Sequence, residues 1–203
     1  LQKTLAEKEH LLEVEDTLLR EIHHRTKNNM QLITSFLSLE RDNYRDPSLD
    51  LILDKTMNRI KTLALSHEIL YSSEDLIRIN LKSYIERILD ELWSVFLHEK
   101  IQVLTNIPEE ISTDLDFAIQ LGLILNELLN NTHKYAFPEN LGGQLFIDVE
   151  QEKETLSLRF RDNGIGLPES VNLEKPGTLG LQIIIALTQQ AGGSYSLSRD
   201  GGT

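Results

Sequence analysis

From Leu1 to about Arg41 the chain runs without a proline or a glycine, and nothing else in it constrains the fold as strongly. Leu5, Leu12, Leu19 and Ile22 lay an early coiled-coil-like seam along this stretch, interrupted at Lys8 and Glu15, so one long helix is predicted. A break follows at Asp42-Asn43-Tyr44-Arg45-Asp46-Pro47, where Asp46 can cap a second helix that begins with Pro47 at its first position. That second helix carries Leu49, Leu53, Thr56, Ile60, Leu63, His67 and Leu70 at alternating steps of four and three, a heptad seam in which His67 reads as core. The product is a helical hairpin. Two helices cannot cover two broad apolar stripes between them, so a second copy is expected to complete a dimeric four-helix bundle.

Within the first helix, Glu21-Ile22-His23-His24-Arg25-Thr26-Lys27-Asn28-Asn29 places two histidines side by side in a polar patch. Taking Ile22 as the origin at about 100° per residue, Leu18, Leu19, Thr26, Met30, Ile33, Phe36 and Leu37 fall within about 80° of it. His24 lies nearly opposite, at about 200°, and shares its face with Lys27, Asn28, Gln31 and Ser35. His23 lies at about 100°, on the flank of the apolar stripe. His24 is therefore the exposed one. A neutral exposed imidazole presents a ring nitrogen that can attack an electrophile such as a γ-phosphoryl group. A solvated surface histidine without chemistry would present the same pattern.

Charge narrows the partners. Lys and Arg total 20 against 32 Asp and Glu, a formal net charge of -12, which argues against nucleic acid as a partner. With no cysteines, disulfides and thiolate metal sites are excluded. No apolar run approaches the roughly 20 residues of a membrane span, so no membrane contact is expected and a cytoplasmic location is.

From about Leu76 the pattern changes. A short strand is predicted over Ile77 to Ile79, a helix through Trp93 and Phe96, a strand from Lys100 to Ile107, and an apolar helix from Asp114 to about Tyr135. Leu145 to Val149 and Leu156 to Phe160 read as paired strands around a turn at Lys153 and Glu154. Leu179 to Gln190 reads as a helix stopped by Gly192-Gly193, and Tyr195 to Ser198 as a further strand. Helices on one side of an antiparallel or mixed sheet make an α+β sandwich.

Three motifs in this half carry chemistry. The first, Asn126-Glu127-Leu128-Leu129-Asn130-Asn131-Thr132-His133-Lys134-Tyr135, ends an otherwise apolar helix. Asn126 and Asn130 are one turn apart, as are Glu127 and Asn131, so their oxygens can converge on a hydrated Mg2+, and Lys134 can reach a phosphate. A helix end with capping asparagines is the plain alternative. In the second motif, Arg161-Asp162-Asn163-Gly164-Ile165-Gly166-Leu167-Pro168, the glycines allow positive φ and close backbone approach, and Asp162 can accept a hydrogen bond from an exocyclic amine. The third, Gly177-Thr178-Leu179-Gly180-Leu181, leads into a helix whose amino end favours phosphate. Each is weak alone, but their order on helix, strand end and helix start is mutually consistent.

Together these features resemble the two-component sensor histidine kinases, specifically the subfamily whose phosphoacceptor box reads Glu-x-x-His-Arg-x-Lys-Asn. The resemblance spans essentially the whole chain. It implies a signalling helix with a dimerisation and phosphotransfer hairpin over 1–75 and a Bergerat-type ATP-binding domain over 76–203. His24 stands at the phosphoacceptor position. Asn126, Glu127, Asn130 and Asn131 fall in the asparagine box with Lys134 and Tyr135, around Mg2+ and the ATP phosphates, with Asn131 favoured as metal ligand. Asp162 matches the adenine-binding aspartate, Gly164 and Gly166 complete the first glycine box, and Gly177, Thr178, Gly180 and Leu181 match the second. Residues between Leu167 and Pro176 correspond to the ATP lid.

The implied reaction is γ-phosphoryl transfer from ATP to His24 and relay to an aspartate on a response regulator receiver domain. Either Glu127 or Glu21, one turn before His24, can serve as base, and Asn28 can position water for hydrolysis of the phosphorylated regulator. Arg25 occupies the place where many of these kinases carry an acid, and His133 the place of an apolar residue. The family pattern also includes an upstream sensor domain, expected to lie outside this sequence, and a further strand beyond Gly201-Gly202-Thr203. Two other functions compete: a non-kinase ATPase of the same superfamily, and a phosphotransfer or scaffold protein without ATP turnover. His24 on its hairpin argues against the first, and intact Asn131, Asp162 and Gly180 against the second.

Overall fold

The computed structural model describes residues 2–44, 47–71, 78–96, 100–138, 142–168, 171, 173–174 and 176–198. Two compact units emerge, Leu1–Glu74 and Asp75–Thr203.

In the first unit, α1 (Gln2–Tyr44) and α2 (Pro47–Tyr71) pack along one another as a helical hairpin. Ion pairs cross between them: among the described residues, Lys27 Nζ lies 2.7 Å from Glu68 Oε2 and Arg41 Nη1 2.8 Å from Asp54 Oδ1. Lys27 departs from its expected place on the outer face beside His24. It is half-buried against α2, because a long aliphatic stem can lie along a neighbouring helix while its ammonium reaches a carboxylate.

The apolar stripe of α1 is divided. Thr26, Met30 and Leu37 are half-buried, whereas Leu18, Ile22, Ile33 and Phe36 are exposed, Ile22 at 55% and Phe36 at 63%. One neighbouring helix covers only part of so broad a face. On α2 the expected seam of Leu49, Leu53, Thr56, Ile60 and Leu63 is half-buried, and among the described residues the buried positions are Met57, Thr62 and Ser66. Thr62 satisfies its hydroxyl on the Asn58 carbonyl at 2.9 Å. The expected cap at Asp46 and the side chains of His23 and His67 lie outside the described residues.

The second unit is the expected α+β sandwich. A mixed sheet runs β2 (Ile101–Asn106), β4 (Gly143–Glu152), β5 (Thr155–Asp162), with β2 parallel to β4 and β4 antiparallel to β5. Lys153 turns the β4–β5 hairpin at φ 56°. Leu145, Ile147 and Val149 are buried along β4 while the residues between them are half-buried, the period of two expected for a sheet covered on one face. Helix α3 (Leu81–Phe96) adds Leu81, Tyr84, Ile85 and Ile88 to the core, and α4 (Leu115–Asn131) adds Ala118, Leu121, Leu125 and Leu129. A small ladder, β1 (Ile79–Asn80) with β3 (Ser112–Thr113), closes the near end; of the strand expected from Ile77, that residue lies outside the described ones.

Helix α5 (Leu179–Gln190) packs on α4 and ends through Gly192 at φ 71°, where a left-handed conformation suits glycine. Tyr195 to Ser198, expected as a strand, joins no ladder among the described residues. Alternation does not make a strand without a hydrogen-bonding edge beside it. Among the described residues no helix is long and apolar enough to cross a membrane.

Candidate functional site

Helix α4 begins where Asp114 accepts the Phe117 amide at 2.9 Å, and its apolar face then runs inward as far as Leu129. That face carries two polar side chains into the interior, Asn126 at 1% exposure and Glu127 at 6%. Buried polar groups need partners. Asn130 Nδ2 donates to the Asn126 backbone carbonyl at 2.7 Å and to its Oδ1 at 3.0 Å. This amide pair fixes Asn130 against the preceding turn, because groups one turn apart can satisfy each other. Asn126 Nδ2 has no partner among the described residues.

The expected helix to Tyr135 changes character at Thr132, and Thr132–Ala136 forms a π-helical turn. Wider winding leaves Thr132 and Ala136 buried and Lys134 and Tyr135 exposed, with His133 between these extremes. Such turns need a tertiary reason, and the adjoining strand end supplies one. Ile165 donates its amide to the Ala136 carbonyl at 2.9 Å, and a Cβ added at Gly164 would lie 2.2 Å from that same oxygen. Glycine is required there by contact with backbone.

Strand β5 delivers Asp162 to this junction. Arg161 turns to the other face, with its guanidinium 4.6 Å from the centre of the Phe146 ring, so alternation directs Asp162 inward at 4% exposure. Its Oδ1 accepts the Gly164 amide at 2.9 Å. Asn163 is tied to β4 by Gln144, which donates its amide to Asn163 Oδ1 at 2.6 Å and accepts the Asn163 amide at 3.1 Å. Gly166 takes φ 75°, a positive value that the glycine pattern allowed, whereas Gly164 serves close approach alone.

The third segment enters from α5. Thr178 is the N-cap, its hydroxyl accepting the Leu181 amide at 3.4 Å. Gly180 is buried, and a Cβ there would lie 2.7 Å from Glu127 Oε2 and 4.0 Å from Asn131 Oδ1. Gly177 is exposed, with open space where a Cβ would go, and Leu181 is half-buried.

Glu127, Asn131 and Gly180 therefore meet at one end of α4, and Gly164, held by Asp162, meets Ala136 just beyond it. Sequence reasoning singled out neither Ala136 nor Gln144; the available signal was a small residue directly after the asparagine-rich motif. The donor set suits Mg2+, which takes oxygen ligands and keeps water and phosphate around it instead of an acidic cage. No cluster of three or more His, Cys, Asp or Glu able to hold a metal occurs among the described residues. Of the residues expected between Leu167 and Pro176 in the lid, 169, 170, 172 and 175 lie outside the described ones.

In the first unit His24 is exposed on α1. One turn earlier Glu21 accepts from Arg25 Nε at 2.8 Å, both side chains being largely exposed. Asn28, one turn after His24, is also exposed.

Comparison with known proteins adds two family matches. Residues 21–96 match the family model described as histidine kinase, and residues 117–203 the one described as histidine kinase-, DNA gyrase B-, and HSP90-like ATPase. The chain is 32% identical over 173 residues to sensor histidine kinase PdtaS of Mycobacterium tuberculosis, covering 85% of this chain and 34% of that protein. It is 26% identical over 196 residues to blue-light-activated histidine kinase 2 of Erythrobacter litoralis, covering 92% of this chain and 54% of that protein. The chain thus spans between a third and about half of these relatives. Among solved structures, the histidine kinase domain of an Erythrobacter litoralis blue-light-activated histidine kinase aligns with TM-score 0.65 at 24% identity over 92% of this chain and 90% of that one. The histidine kinase AdeS of Acinetobacter baumannii aligns with TM-score 0.53 at 19% identity over 86% and 90%. Both likenesses concern the fold.

Proposed function

Because the chain belongs to the histidine kinase family, we propose that it is the catalytic core of a sensor histidine kinase, which phosphorylates its own His24 from ATP and passes the phosphoryl group to an aspartate of a response regulator receiver domain. One observation carries this reading: an exposed imidazole on a helical hairpin shares a chain with a unit in which α4 and α5 bring Glu127, Asn131 and Gly180 together and β5 delivers buried Asp162 to Gly164, beside the turn that follows α4. The nucleophile is reachable, and the carboxylates of Glu127 and Asp162 are shielded.

In this reading Asp162 accepts the adenine amine. One of its oxygens already holds the Gly164 amide, and a carboxylate has lone pairs to spare. Gly164 keeps the backbone low over Ala136 so that a flat base can lie against it, with Gly166 completing the turn. Asn131 offers an amide oxygen to Mg2+, and Asn126 and Asn130, bound to each other, hold that end of α4 in shape. Lys134, Tyr135, Gly177, Thr178 and Leu181 border the phosphates. ATP with Mg2+ supplies an activated γ-phosphoryl group whose developing charge the metal offsets.

A ring nitrogen of His24 attacks the γ-phosphorus in line. The N–P bond forms as the bond to the departing ADP oxygen breaks, and the ring proton passes to a carboxylate. We assign that carboxylate to Glu127, buried beside Asn131; Glu21 instead pairs with Arg25 on the exposed helix surface. Asn28 stands where it can place water for hydrolysis of a phosphorylated regulator. Homodimerisation through the hairpin covers Leu18, Ile22, Ile33 and Phe36, and the ATP dependence accords with a cytoplasmic reaction.

The test is acid-labile, alkali-stable labelling from γ-labelled ATP. The wild type becomes labelled, His24→Ala does not although it still binds nucleotide, and Asp162→Ala loses the label together with most of its nucleotide affinity. ATP hydrolysis without phosphoprotein would favour the ATPase reading, and absence of nucleotide binding the scaffold reading.

A further inference from the structure

The glycines of the two loops differ in what their missing side chains spare. At Gly164 a Cβ would strike backbone, the Ala136 carbonyl at 2.2 Å, and at Gly177 it would meet nothing within 4 Å. At Gly180 it would meet the far end of one side chain, Glu127 Oε2 at 2.7 Å, with Asn131 Oδ1 at the edge of contact at 4.0 Å. Backbone cannot yield, but a carboxylate at the end of two methylenes can. An added methyl at Gly180 would therefore leave the α4–α5 junction standing and displace Glu127.

We propose that Gly180 is a positioning residue for Glu127: its bare Cα forms the wall against which the carboxylate rests, and this sets where the base meets the proton of the incoming imidazole. The role rests on the kinase reading above and is separate from close backbone approach to phosphate, for which a glycine in this loop would otherwise be explained. The helix start holds the wall in place. Thr178 caps α5 through the Leu181 amide, and Gln182 donates its side-chain amide to the Pro176 carbonyl at 3.2 Å, so Gly180 lies in a first turn braced on both sides.

A two-residue cycle tests this with the full chain, using Gly180→Ala, Glu127→Asp and the double variant. Each is read by equilibrium binding of a fluorescent trinitrophenyl ATP analogue and by the initial rate of labelling from saturating γ-labelled ATP. Gly180→Ala is expected to bind the analogue within about threefold of wild type and to label at least about tenfold more slowly, since small displacements of a reacting group are expensive in rate. Shortening Glu127 by one methylene makes room for the added methyl. Introduced into the Glu127→Asp background, the alanine should then slow labelling by less than about threefold, a strongly non-additive result for two groups in contact.

Equal losses in both backgrounds overturn the proposal. So does folded Gly180→Ala that loses the analogue, which would make the glycine a nucleotide contact, or one that labels at the wild-type rate. If the alanine alone prevents folding, the proposal requires the double variant to fold, and a double variant equally unfolded overturns it. If the wild type binds and hydrolyses ATP without acquiring label, the kinase reading falls, and the same cycle read as hydrolysis still decides the role of Gly180.

Discussion

The two units solve the problem of burial in opposite ways. In Asp75–Thr203 a mixed sheet and three helices close a core by themselves, with Leu81, Ile85, Ile88, Leu125, Leu129, Leu145 and Ile147 at zero exposure. In Leu1–Glu74, Met57 is the one buried hydrophobic side chain among the described residues, and Ile22 and Phe36 remain more than half exposed. A layered unit can seal both faces of its interior, whereas a hairpin gives each helix a single neighbour. The difference suits the chemistry assigned to each. A phosphoacceptor must be reached from outside, while a carboxylate reading an adenine amine discriminates best away from water.

The comparison breaks most decisively at His24 and Asp162. His24→Ala should abolish labelling and leave analogue binding within about twofold, as for a surface substitution. Asp162→Ala should abolish labelling and weaken binding by about 30-fold or more, the scale of a lost charged hydrogen bond. Gly164→Ala comes next. Its methyl meets backbone, so urea denaturation should show a loss of about 3 kcal/mol, against less than about 0.5 kcal/mol for Gly177→Ala in open space.

A smaller effect should sharpen the hairpin side. Phe36→Asp buries a charge wherever a second copy covers that face, so sedimentation equilibrium should show dimerisation weakened by about 30-fold, with analogue binding by the other unit unchanged. The smallest effect concerns the surface of the nucleotide unit. Lys82 donates to Glu109 at 2.8 Å, and this hydrogen bond raises the Lys82 amine above its ordinary value and lowers the Glu109 carboxyl below its own. The contribution is present between these limits. It is lost as pH falls through the lowered Glu109 value and as pH rises through the raised Lys82 value. Thermal melts of wild type and Lys82→Met should therefore differ slightly at neutral pH, less in high salt, and converge in acid and in strong alkali.

Much of the nucleotide unit was legible because its elements are locally punctuated. Helix α5 begins at the Thr178 cap and stops before Gly192, both readable as residue types, and β4 and β5 declare themselves by alternation around a polar turn. The illegible parts depend on residues distant in sequence. The π-helical turn at Thr132–Ala136 accompanies the approach of Gly164 to Ala136, and spacing along α4 could not show that Asn130 would spend its amide on Asn126. Periodicity pointed Lys27 outward, yet Glu68 on the neighbouring helix draws it in. Tyr195 to Ser198 has the alternation of a strand and joins no ladder among the described residues, since pairing is a property of the sheet and not of the segment. At the site, residue types and order marked the three segments, but only the fold shows Gly180 against Glu127.

The central claim is that the two units serve one reaction whose acceptor is His24 and whose donor site is built around Asp162. Its most direct test is mass-spectrometric mapping of the phosphate, at neutral to alkaline pH, on chain incubated with ATP and Mg2+. The account predicts phosphate on His24, unchanged in position in His23→Ala and absent in Asp162→Ala. Phosphate on His23 or on another residue, or modification of His24 that persists in Asp162→Ala, would contradict it.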